Sequence, residues 1–166
     1  RTPLDPDETF SDDPLRMMRA IRFASQLQFN IEEKTFQGII KNASRIAIIS
    51  QERITDEFLK VLASPKPSVG LQLLNDTELL QHILPELVVL NGVEQQQGFL
   101  HKDVFKHTLK VVDNTSEMTD DIRLRFAALF HDIAKPRTKK FVEGIGWTFY
   151  GHEEVGSRMV KGIGKK

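Results

Sequence analysis

Cysteine is absent from the 166 residues, and tryptophan occurs once. Without thiols the chain forms no disulfide, no thiolate metal site and no cysteine nucleophile. That composition fits a reducing compartment, so the cytoplasm is the expected location. No apolar run approaches the ~20 residues a membrane-spanning helix needs, and no membrane partner is expected. The opening RTPLDPDETF lacks the ordered basic, apolar and cleavage regions of a signal peptide. Net charge is missing too, with 23 Lys+Arg against 23 Asp+Glu. No Walker loop or nucleophile elbow occurs, and Gly162-Ile163-Gly164 is a tail rather than a dinucleotide fingerprint.

What is present suits a helical globule. At 40% hydrophobic and 28% charged residues, the chain can bury a core. Residues 1–100 hold 10 basic and 14 acidic side chains, whereas residues 101–166 hold 13 and 9. The chain therefore changes character near residue 100, too mildly for charge alone to announce a nucleic-acid partner.

Two prolines and no apolar period make Thr2–Phe10 an expected extended lead-in, of the kind found in the middle of a longer chain. Asp13-Pro14 predicts a helix start, with Asp13 as cap and Pro14 in the first helical position. Leu15, Met17, Met18, Ile21 and Ala24 supply that helix's apolar face. Further helices are expected over Ile31–Asn42 and Gln51–Ala63. Two short ones, Ser68–Leu74 and Thr77–Leu84, should break at Asn75-Asp76. Residues 85–100 read as a connector. HKDVFKHTLKVVDN predicts a helix, and Asp120-Asp121 should cap IRLRFAALFHDIA, which must stop near Lys135-Pro136. Strand character is confined to Lys139–Tyr150, where Glu143–Trp147 can turn a small hairpin. A last helix begins at His152. The expected fold is all-α with one minor β-hairpin near 139–150.

Three clusters can carry chemistry. Asp13 and Arg16 stand three residues apart, on one helix face, beside Asp12. A carboxylate accepts hydrogen bonds and a guanidinium donates several in a flat fork. Together they can offer a nucleobase the edge another base would offer, or they are a helix cap and a solvated arginine. Arg16, Arg19 and Arg22 form a stripe suited to phosphate and base contacts, or simply the solvated face of an amphipathic helix. His131-Asp132 ends an apolar segment, where adjacent ionisable groups serve no packing purpose. With His107 on the preceding helix and His152 in the next element, they make an N/O donor set for a divalent metal, which could activate water against a phosphate ester. Asp5-Pro6-Asp7 has polymerase-like carboxylate spacing but lies between prolines, with no strand before it, and is read as structural.

These residues resemble a known family. RTPLDPDETFSDDPLRMMRAIRFASQLQFNIEEKTF, followed by IISQERITDEFLKVL, is similar to the neck of class II CCA-adding tRNA nucleotidyltransferases and bacterial poly(A) polymerases. The resemblance runs through Asp12, Asp13 and Arg16, continues in Arg19, Arg22 and Phe23, and returns in Glu52, Arg53, Glu57 and Phe58. It implies that Asp13 and Arg16, with Asp12 alongside, form an amino-acid template for CTP or ATP. Arg19 and Arg22 would support the nucleotide pocket, and Glu52 and Arg53 would brace the template helix. HKDVFKHTLKVVDN, LRFAALFHDIAKP and GHEEVGSRMV resemble an HD domain, a helical metal-dependent phosphohydrolase module. Its ligands map onto His107, His131 and Asp132, with His152 nearby.

The resemblance implies this division: 1–10, the end of a nucleotidyltransferase head; 11–84, the neck; 85–100, the connector; and 101–166, part of an HD domain. The head, with its two metal-binding carboxylates and Mg2+, would precede Arg1, so no transfer-catalytic residue is expected here and no transfer by the chain alone. The partners implied are tRNA, CTP and ATP. Poly(A) synthesis, an HD phosphohydrolase and a non-catalytic tRNA-binding module remain alternatives.

Overall fold

A computed structural model describes residues 1–2, 4–97 and 100–165, with backbone alone for 95–97 and 100–102. The first helix, α1 (Pro6–Asp12), lies where an extended lead-in is expected. The correction has a local cause. Asp5 accepts from the Asp7 N–H at 2.9 Å, and Pro6 opens the helix with its preset φ. The cap-and-proline signal of Asp13-Pro14 thus also operates eight residues earlier. Both carboxylates of Asp5-Pro6-Asp7 are held structurally. Lys34 pairs with Asp5 at 2.9 Å, while Lys41 and Asn42 hold Asp7.

The second helix, α2 (Leu15–Leu27), buries Met17, Met18 and Ile21 completely. Asp13 Oδ1 accepts from the Leu15 N–H at 3.2 Å, with Pro14 in helical geometry, so the expected cap forms and the assigned helix starts one residue later. Gln28, at φ 55°, ends α2 in the left-handed region. There follow α3 (Glu33–Asn42), a 3-10 turn (Ala43–Ile48) and α4 (Gln51–Leu62). Next, α5 (Pro67–Asp76) runs through the expected break at Asn75-Asp76. The chain turns instead at Thr77-Glu78, where Glu78 takes φ 62°. The short helices α6 (Leu79–Ile83) and α7 (Pro85–Val88) close this half.

The connector is not structureless. Strands β1 (Glu94–Gln97) and β2 (Leu100–Asp103) pair antiparallel, Glu94 opposite Asp103. His101 to Asp103, expected to be helical, therefore lie on a strand. Asp103 then caps α8 (Val104–Met118) by accepting from the Lys106 N–H at 2.9 Å. Asp121 caps α9 (Ile122–Phe130). This helix stops before His131, short of the expected Lys135-Pro136. Pro136 instead sits in the first turn of α10 (Lys135–Thr138). The expected hairpin forms as β3 (Lys140–Val142) and β4 (Gly146–Thr148), with Phe141 opposite Trp147. Helix α11 (His152–Ile163) follows.

One apolar cluster runs from Phe10 through Ile21, Val61, Leu74 and Leu109 to Ile133, across both halves of the chain. Close approach of helices at its centre depends on Gly70. A Cβ there would lie 2.4 Å from Val61 Cγ1 and 3.0 Å from Ser25 Cβ, so α5 packs against α2 and α4 only without a side chain at that point. Polar bonds cross the same seam. Asp113 of α8 accepts from the Ser68 N–H at 2.9 Å and from its hydroxyl at 2.6 Å. Among the described residues no helix is long and apolar enough to cross a membrane.

Candidate functional site

Two groups of polar side chains stand out, one on α2 and α4, the other around the end of α9. In the first, Asp13 sits at the mouth of α2. Its Oδ1 is engaged by the Leu15 N–H, and its Oδ2 lies 3.8 Å from Arg16 Nε. Arg53 of α4 approaches Oδ1 at 4.0 Å. Asp13 keeps 28% of its side chain exposed, Arg16 48% and Arg53 51%. The edge is thus reachable from solvent, while its carboxylate is oriented by the main chain. Asp12, at the end of α1, is exposed.

One turn further on, Arg19 and Arg22 converge on Glu57 of α4. Arg22 Nε lies 3.3 Å from Oε2, Arg19 Nε 3.7 Å from Oε1 and Lys60 Nζ 3.7 Å from Oε1. Glu57 is only 4% exposed. Arg22 also stacks over Phe23, 4.3 Å from the ring centroid. The stripe, expected either to meet a nucleotide or to be a solvated face, is therefore partly structural, since Arg19 and Arg22 face Glu57 while Arg16 stays half exposed beside Asp13. Of the expected bracing pair, Arg53 meets the template element. Glu52 points away, toward an apolar cavity of about 610 Å³ whose lining includes Ile54, Phe58, Ile83 and Phe126. Glu57 is the carboxylate that holds the α2 arginines. Its sequence signal is a charge on the buried face of α4, among Ile54, Phe58 and Val61.

The second group gathers at Asp132, which is 2% exposed. His131 Nε2 lies 3.1 Å and His107 Nε2 3.7 Å from its Oδ2, and His152 Nε2 lies 3.6 Å from its Oδ1. All four residues expected as ligands therefore meet. Ligand atoms of His107, His131 and Asp132 fall within 4.8 Å of one another. Two rings are aimed by carbonyls. His131 Nδ1 donates to Ala128 O at 2.7 Å, and His152 Nδ1 to Phe149 O at 2.9 Å. A carbonyl can only accept, so each Nδ1 carries the hydrogen and each Nε2 is turned toward Asp132.

Lys135, which sequence reasoning passed over, donates to Asp132 Oδ2 at 2.7 Å. Burial pushes the Asp132 carboxyl up, but hydrogen bonds from His131 and Lys135 outweigh it and hold the group at about 2. The same bond raises His131 above its ordinary value, against the opposing effect of burial. Three imidazole nitrogens around a buried carboxylate that stays ionised are the donor set of a divalent metal site. The ammonium on Oδ2 marks where positive charge is favoured. His107, His131 and Asp132 would hold the ion, with His152 beside them.

Comparisons with known proteins match two stretches of the chain. Residues 28–90 match the family model described as "Probable RNA and SrmB- binding site of polymerase A". Residues 104–166, which include His107, His131, Asp132 and His152, match the HD domain. The two matched stretches follow one another along the chain. It is 34% identical to the CC-adding tRNA nucleotidyltransferase of Thermus thermophilus, over 93% of this chain and 37% of that protein. It is 35% identical to the A-adding tRNA nucleotidyltransferase of Deinococcus radiodurans, over 95% of this chain and 38% of the relative. Its identity to the multifunctional CCA protein of Shewanella frigidimarina is also 35%, over 93% and 38%. The chain belongs to the tRNA nucleotidyltransferase family and spans well under half the length of these relatives.

Proposed function

We propose that this chain is the base-reading part of an enzyme that adds C, C and A to tRNA 3′ ends without a nucleic-acid template. The observation that carries this reading is the Asp13–Arg16 edge, solvent-accessible, oriented by a helix cap and flanked by Arg53. Asp13 accepts from the exocyclic amino group that cytosine and adenine share. Arg16 donates to a ring nitrogen or carbonyl next to it. Uracil and guanine carry an acceptor where that amino group stands, so a carboxylate removed from water is left unpaired, at a cost of a few kcal/mol. Asp12, Arg19 and Arg22 support the nucleotide, while Arg53, with Glu52 beside it on α4, braces the template helix. CTP, ATP and tRNA are the partners, and tRNA maturation places the intact protein in the cytoplasm.

The Mg2+-dependent transfer step is assigned to a head domain outside these 166 residues. The neck is assigned to 11–84 and the HD part to 101–166, joined by 85–100. Incubated with tRNA, CTP, ATP and Mg2+, the chain alone should give no extension, and clear extension would overturn this assignment. The cluster at Asp132 favours a second activity, metal-assisted hydrolysis of a phosphate ester. In that role the ion would supply the activated water, and His107, His131 and Asp132 would position it. Poly(A) synthesis uses the same base-reading logic restricted to adenine.

The deciding experiment uses the intact protein. Asp13→Ala should raise UTP and GTP incorporation relative to CTP and ATP more than it slows CTP addition. A uniform loss for all four nucleotides would reduce Asp13 to a helix cap.

A further inference from the structure

We propose that the β3–β4 hairpin is a stacking platform for single-stranded RNA, with Phe141 and Trp147 receiving bases and Arg137 and Lys139 facing the backbone phosphates. The hairpin lies apart from the template edge, and its aromatic side chains have no role in the activities assigned above.

Phe141 and Trp147 are cross-strand partners and meet edge to face, with ring centroids 5.4 Å apart. They do not fill the core: Phe141 is 64% exposed, Trp147 55% and the nearby Tyr150 74%. The hairpin nevertheless has an inner face. Thr148, adjacent to Trp147 and pointing to the opposite side of the strand, is buried, and its hydroxyl donates to Lys140 O at 3.2 Å. Phe141 and Trp147 therefore stand on the outer face, exposed to solvent. An exposed apolar patch in a folded chain marks a surface that meets something else.

Charge decides what that partner is. Residues 135–150 carry four basic side chains and one acidic one, in a chain whose net charge is zero. Lys139 Nζ already lies over the Trp147 ring at 4.8 Å from its centroid. Aromatic rings interleaved with cations match a strand of bases joined by phosphates. A duplex does not fit, because its base faces are stacked inside the helix and cannot reach the rings. The position is also apt, since both ends of the hairpin are tied to the Asp132 cluster. Lys135, at the start of α10, donates to Asp132. At the other end, the Phe149 carbonyl accepts from His152 Nδ1 and, at 3.2 Å, from the His152 N–H.

The platform does not depend on the template edge, and only the choice of RNA over DNA rests on the tRNA reading. Trp147 is the only tryptophan, so its fluorescence reports on this surface without a label. Titrating the chain with single-stranded oligoadenylate should quench it saturably, and an RNA duplex of equal phosphate content should not. With end-labelled oligoadenylate, Trp147→Ala should weaken binding about tenfold. Trp147→Phe, which keeps an aromatic ring in the hairpin, should restore most of it. Arg137→Ala with Lys139→Ala should flatten the salt dependence by about 0.7 for each phosphate deprived of its cation. Absence of quenching, or equal quenching by duplex, overturns the platform. Equal quenching by the matching single-stranded DNA overturns its assignment to RNA. These readouts need neither nucleotide transfer nor discrimination among CTP, ATP, UTP and GTP, which separates a failure here from a failure of the template reading.

Discussion

Arg125, on α9, donates to the carbonyl of Ser64, just past the end of α4, at 2.9 Å and across 61 residues of sequence. The guanidinium is 3% exposed and spreads its remaining donors over the carbonyls of Leu62, Ser116 and Thr119 and the carboxylate of Asp120. A single side chain thus joins the half that carries the Asp132 cluster to the end of the helix that holds Glu57 and Arg53.

Replacing it should be costly. Arg125→Met fills a similar volume but gives up every one of these hydrogen bonds, and should lower unfolding free energy by about 2–4 kcal/mol. Arg125→Lys should recover less than half, because an ammonium cannot reproduce a planar fork. Urea denaturation followed by circular dichroism measures both. A loss under about 0.5 kcal/mol for Arg125→Met would show that Arg125 contributes little to joining the two halves.

Glu57 is a second buried junction. Glu57→Gln keeps the shape and removes the charge facing Arg22, whose side chain is only 15% exposed. Stability should fall by about 1–3 kcal/mol, with a larger loss for Glu57→Ala. Thermal unfolding at constant pH provides the comparison. Unchanged melting for both variants would mean that Arg22 is solvated rather than held by Glu57.

At the Asp132 cluster, metal and protons compete for the same nitrogen. The Asp132 hydrogen bond keeps His131 protonated to a pH above its ordinary 6.5. Without metal, that pairing contributes stability fully present below 6.5 and lost as pH rises through the raised folded value. Metal reverses the dependence, because only the neutral ring can ligate. Mn2+ should therefore raise the melting temperature at about pH 8 and lose that effect by about pH 5.5. His131→Ala should abolish the Mn2+ shift at both. An equal shift at both pH values, or one that survives His131→Ala, would place the ion elsewhere.

Much of this fold is written in short-range signals. The apolar spacing of Leu15, Met18 and Ile21 gives α2, the Asp121 cap gives α9, and the Gly144 region gives the β3–β4 turn. The metal cluster is legible because His131 and Asp132 end an apolar segment for which packing offers no reason. Other features depend on partners remote in sequence. Strand β1, all Glu and Gln, has no alternating apolar face and exists because β2 pairs with it. Glu57 and Lys135 acquire their meaning only where a second element arrives. The stop of α9 at Phe130 follows from turning Asp132 inward, which no helical period records. By contrast α1 has a legible signal that is easily misread, because the prolines flanking Asp5 suggest a coil although Asp5-Pro6 is itself a helix start.

The division of labour within the Asp13 carboxylate has an evolutionary corollary. One oxygen belongs to the helix and the other to whatever comes from outside. An asparagine could retain the first as its carbonyl while turning the second from acceptor to donor, inverting the preference of the reading edge with the scaffold intact. If Asp13 reads the base as proposed, such a change would alter which monomer is accepted at the cost only of its pairing with Arg16 and Arg53, 3.8 and 4.0 Å away, and a lineage could revise its chemical alphabet one side chain at a time.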